Sequence, residues 1–92
     1  MNLQQAPSNI SKEILVQDEF WGEYRAELLG IWENLCAPHE NYRWKAKVRI
    51  VECTKEPSQL TLDGRNECYR KAYKFEEVRS FNIAQCYVER GL

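Results

Sequence analysis

No run in this 92-residue chain approaches the ~20 apolar residues that span a bilayer. The opening residues, Met1-Asn2-Leu3-Gln4-Gln5-Ala6-Pro7, have neither the basic start nor the apolar centre of an export signal. The expectation is a protein without a membrane partner and cytoplasmic in location. Histidine occurs once, at His39, and glycine four times. No glycine-rich loop is therefore on offer to cradle a phosphate, and Asp63-Gly64-Arg65-Asn66 reads as a tight turn. Cys36 and His39 stand three residues apart across Pro38, a separation that gives no reason for a hydrogen-bonded catalytic dyad or an oxyanion hole. Structural zinc sites draw their ligands from close pairs, and Cys36-Ala37-Pro38-His39 is the one such pair here. Catalytic, cofactor and metal constellations are all missing, so the expectation is a protein that binds and does not catalyse, with no cofactor and no metal.

What is present is an ordinary globular balance, 43% apolar and 29% charged, enough for one modest core. The expected organisation is a flexible tail over residues 1–10 and a single domain over 11–92. The net charge of −1 conceals a division. Residues 1–40 carry two cations against seven acids, whereas residues 41–92 carry the other eleven cations against seven acids. An acidic front and a basic back point to an anionic partner for the basic part, or to a match between the halves, within a chain or head to tail in a homo-oligomer.

Phe20, Tyr24, Leu28, Ile31 and Leu35 recur at steps of four, four, three and four, which predicts an amphipathic helix from Asp18 to about Cys36. Asp18 suits the N-cap, Pro38 marks the stop, and Glu19, Glu23 and Glu27 make an acidic face. After the break at 37–41 the period changes. Tyr42, Trp44, Ala46, Val48 and Ile50 alternate with Arg43, Lys45, Lys47 and Arg49, which predicts a half-buried strand with a ladder of cations on its other face. Lys55 to Ser58 break the chain, Leu60-Thr61-Leu62 is a short apolar stretch, and 68–75 and 78–88 read as two further strands. The expected class is α+β, an N-terminal amphipathic helix packed on a small antiparallel sheet or SH3-like barrel. Residues 65–90 are also compatible with a helix.

The four cysteines, Cys36, Cys53, Cys68 and Cys86, are taken as buried and reduced in the absence of a secretory signal. An alternative is a disulfide-stapled helical hairpin over 40–55 and 65–88, with Cys53 to Cys68 and Cys36 to Cys86. That arrangement resembles the twin-cysteine helical proteins of the mitochondrial intermembrane space, which would then be the compartment.

Cys68-Tyr69-Arg70-Lys71-Ala72-Tyr73, followed by Glu77-Val78-Arg79-Ser80-Phe81-Asn82-Ile83, resembles the end of WYL domains, where an aromatic-rich strand precedes an Arg-Ser/Thr-Phe pattern. The likeness covers residues 42–88. Cys68 and Arg70 stand where the family has Trp and Leu. The resemblance implies an SH3-like or Sm-like barrel in a regulatory module that senses nucleic acid or a nucleotide-like ligand, with Tyr69 and Arg79 as the residues that carry over.

Arg43, Lys45, Lys47 and Arg49 are the candidate contacts to a phosphate backbone, with Tyr69 and Arg79 beside them by resemblance. The alternation that exposes the cations turns Trp44 to the opposite face, which removes it as a base-stacking residue. The expected function is a non-enzymatic regulatory or interaction module that binds nucleic acid or a nucleoprotein complex. A protein-binding inhibitor or accessory subunit, docking through Glu19, Glu23 and Glu27, is the alternative.

Overall fold

In the computed structural model, which describes residues 1–61 and 63–88, the chain is a five-stranded antiparallel sheet. The strands are β1 (Glu13–Asp18), β2 (Gly22–Glu33), β3 (Trp44–Lys55), β4 (Val78–Asn82) and β5 (Cys86–Val88), in the order β4-β3-β2-β1-β5. A helical turn, α1 (Ala6–Asn9), precedes them. β4 and β5 are separated by a single 3-10 turn over Ile83–Gln85, yet they form the two outer edges of the sheet. A flat five-stranded sheet is about 19 Å across, more than one short turn covers. The sheet is therefore curled, which brings β4 and β5 to the two ends of the turn, and its concave face encloses the core.

Alternation fills that face. Ile14 and Val16 of β1, Tyr24, Ala26 and Leu28 of β2, Ala46, Val48 and Ile50 of β3, Phe81 of β4 and Cys86 of β5 are buried together. Register places apolar opposite apolar: Ile14 faces Ala26, Leu28 faces Val48, and Ala46 faces Phe81. Met1 packs against this cluster, as do Ala72 and Tyr73 of the long β3–β4 connection. The Met1 ammonium donates to the carbonyl of Cys86, and Tyr73 N–H donates to the Tyr24 hydroxyl at 3.3 Å, which ties both segments to the sheet.

The amphipathic helix expected over 18–36 is not formed, and with it the α+β class falls; the same residues make a turn and the long strand β2. The physical reason lies in a β-bulge. Tyr24, Ala26 and Leu28 point inward at steps of two, and then the register shifts between Leu28 and Gly30, so the next inward residue is Ile31. One inserted residue turns a period of two into the sequence 24, 26, 28, 31, which contains the helical series 24, 28, 31. Asp18 misleads in the same way. Its Oδ1 accepts the N–H groups of Phe20 and Trp21, both at 2.9 Å, as a helix cap would, but here it closes the turn from β1 into β2.

The disulfide-stapled helical hairpin is likewise overturned. Cys53 and Cys86 lie in strands, and all four cysteines are free thiols, with Cys86 alone of them fully buried. Residues 65–88 hold no α-helix, and 68–75 hold no strand. That segment is extended and pinned by side chains. The Gln59 amide accepts from Arg70 N–H and donates to Arg70 C=O, both at 2.9 Å, while the Arg70 guanidinium donates to the carbonyls of Ser58 and Leu60. Leu62, the end of the expected 60–62 stretch, and 89–92, the end of the expected domain, lie outside the described residues. Among the described residues, no helix is long and apolar enough to cross a membrane.

Candidate nucleic-acid interface

The strand expected from the Tyr42–Ile50 alternation is present as β3, and its convex face carries the cations. Ala46, Val48 and Ile50 are inside, so Lys45, Lys47 and Arg49 point out. The neighbouring strands complete the surface. Lys45 lies opposite Trp32 on β2 and Asn82 on β4, Lys47 opposite Gly30 and Ser80, and Arg49 opposite Glu27 and Val78.

Trp32 is the residue that sequence reasoning missed. Strict alternation from Leu28 would send it into the core; the bulge turns it onto the cationic face, where it remains 42% exposed. Its Nε1–H donates to the Ser80 hydroxyl on β4 at 3.3 Å. β2 and β4 are two strand spacings apart, roughly 10 Å, so the indole lies across β3 between the Lys45 and Lys47 rows. No sequence signal marked it, because Trp32 falls inside the helix expected from Asp18 to about Cys36.

The charges on this face are largely uncompensated. The Lys45 ammonium donates to the neutral amide oxygen of Asn82. Lys47 and Arg49 are exposed and, among the described residues, form no salt bridge. Arg43, at the mouth of β3, sits 3.9 Å from Glu33. Beyond β2 the surface turns acidic: Glu27 lies opposite Glu13, and Arg25 is held between Glu13 at 2.9 Å and Glu52 at 3.9 Å.

Tyr69 and Arg79 do not join the ladder. Arg79 shares the inward parity of Phe81; its guanidinium lies 4.7 Å above the Tyr73 ring and pairs with Glu77. Tyr69, 81% exposed, borders a shallow groove with Trp21, Lys71 and Arg79, away from the convex face of β3. The aromatic cluster beneath is structural: Trp21 stacks on Tyr73 at 5.3 Å, and burial pushes both the Tyr24 and Tyr73 hydroxyls above the usual phenol range. Trp44 is turned away from the cations and borders a groove with Met1, Tyr42 and Ile83.

The acidic set is dispersed for the same reason that the helix is absent. Glu19 sits in the β1–β2 turn, whereas Glu23 and Glu27 lie four residues apart on β2, opposite Gln17 and Glu13. No acidic helix face exists among the described residues to dock on a partner. Comparison of the chain with protein-family models, with curated proteins and with solved structures finds no match.

Proposed function

We propose that the protein is a non-enzymatic binding module that holds nucleic acid on the convex face of β3. The observation that carries this is the row Lys45, Lys47 and Arg49, three same-face cations without a carboxylate partner within salt-bridge distance among the described residues. Same-face positions repeat every ~7 Å, so the row presents positive charge along about 13 Å of a rigid strand. Surface cations that displace counterions from a phosphate chain supply affinity that falls steeply with salt. Arg43, at the mouth of β3, is already paired with Glu33, and the acids on β1 and β2 confine a polyanion to the β3–β4 side. The WYL resemblance of residues 42–88 supports the same class of ligand, although Tyr69 and Arg79 lie elsewhere.

Fluorescence anisotropy of labelled oligonucleotides at low and moderate salt tests the proposal. Binding is expected, with a salt slope that shrinks by roughly 0.7 to 0.9 for each phosphate contact removed in Lys47→Ala/Arg49→Ala. Absence of binding at low salt, or unchanged binding by the double variant, would overturn it.

A further inference from the structure

We infer that the ligand is single-stranded nucleic acid, with an unpaired base stacked on Trp32 while its phosphates meet Lys45, Lys47 and Arg49. This rests on the proposed use of the β3 face. Three observations converge on it. The first is the indole itself. A half-exposed Trp that is anchored at Nε1 by Ser80 and laid across the strand offers a fixed aromatic surface in the midst of cations. Such a surface pays little ordering entropy on binding and stacks with any base.

The second is Gly30. It is in the interior of β2, opposite Lys47 and two residues from Trp32. Gly22 and Gly64 have positive φ, but Gly30 does not, and a Cβ placed there would meet nothing within 4 Å. Gly30 follows the bulged Leu29, a place where glycine is common, but neither a positive φ nor crowding within the chain requires it there. Its effect is to leave low, open ground beside the indole, as close approach of a ligand requires.

The third is geometry. Bases in a duplex stack on each other and present only their edges to a protein, whereas a single strand can turn a base face onto an aromatic ring. A flat indole on the outside of a sheet is complementary to the second and not to the first.

The experiment compares four probes of equal length by anisotropy at one low salt concentration: oligothymidylate, an abasic sugar-phosphate oligomer, a duplex and inorganic polyphosphate. Oligothymidylate is expected to bind tightest. Trp32→Ala should weaken it roughly 5- to 150-fold, the span of one base stack at ~1–3 kcal/mol, without changing its salt slope or the affinity for the abasic oligomer. Trp32→Phe should retain most of the affinity. Gly30→Thr, whose Cβ would meet nothing within 4 Å, should weaken oligothymidylate while leaving the thermal midpoint unchanged or raised. Equal affinity for the abasic oligomer, a duplex bound as tightly as the single strand, or indifference to Trp32→Ala would overturn the stacking site and leave the cationic surface standing. Failure of all four probes to bind would instead remove the nucleic-acid function, and the inference with it.

Discussion

At the scale of the residue, Gly22 is the position least open to change. Its φ is +95°, and a Cβ there would lie 2.3 Å from the carbonyl oxygen of Lys55. Gly22→Ala therefore incurs both left-handed strain and a collision with backbone, and a loss of roughly 2 kcal/mol or more in urea unfolding is expected. Gly64→Ala, at φ +71° with open space around it, should cost only about 1 kcal/mol. Cys86 is the second sensitive residue. Burial pushes its thiol up to about 11 from an ordinary 9, because the thiolate would have no water within the core. A folded-state pKa above the unfolded one means that its contribution is complete below pH 9 and is lost as pH rises from 9 to 11. Two pH units correspond to about 3 kcal/mol. Unfolding free energy measured from pH 8 to 11 should fall less in Cys86→Ala than in the parent protein, with Tyr24 and Tyr73 supplying the remaining alkaline loss. Thiol labelling should follow exposure: Cys36 reacts at once, and Cys86 only on unfolding.

At the scale of the element, the bulge between Leu28 and Gly30 decides both the fold's legibility and the candidate site. It moves Ile31 to the core and Trp32 to the cationic face in one step, since a shift of one residue exchanges the faces of everything beyond it. Deleting Leu29 should remove the bulge and keep both faces, because Leu28 opposite Val48 and Gly30 opposite Lys47 then follow one another as a regular ladder. With Trp21 and Trp44 replaced by Phe, the emission of Trp32 is expected to be red and quenchable in the parent strand. In the deletion it should stay red and quenchable, and a blue shift would mean that the strand has slipped register instead. The β3 strand was legible because its alternation is unbroken from Tyr42 to Ile50. β2 was not, because its alternation carries the bulge and its Asx turn at Asp18 uses the same bonds as a helix cap. The pattern over 78–88 predicts one strand where there are two, because the Asn82–Gln85 capping box folds a 3-10 turn between them.

At the scale of the whole molecule, closing a sheet by one short turn between its two outermost strands makes stability depend on contacts far apart in sequence. Val16 pairs with Cys86, and Ala46 with Phe81. Folding should accordingly be slow for a chain of this size, with the non-local β1–β5 pairing among its late steps. What the sequence determined by itself was local. It specified a strand wherever apolar and charged residues alternate without interruption, the tight turn at Asp63-Gly64, and a row of cations on one face of β3. Those follow from the two-residue period of an extended chain and the φ freedom of glycine. Tertiary structure alone decided that residues 18–36 extend, that Tyr69 and Arg79 part from the cations, and that Trp32 joins them. Each depends on which strand lies beside which and in what register. A pattern of side chains can state its own period, but its partner, and the side it faces after a bulge, are set only when the sheet closes around its core.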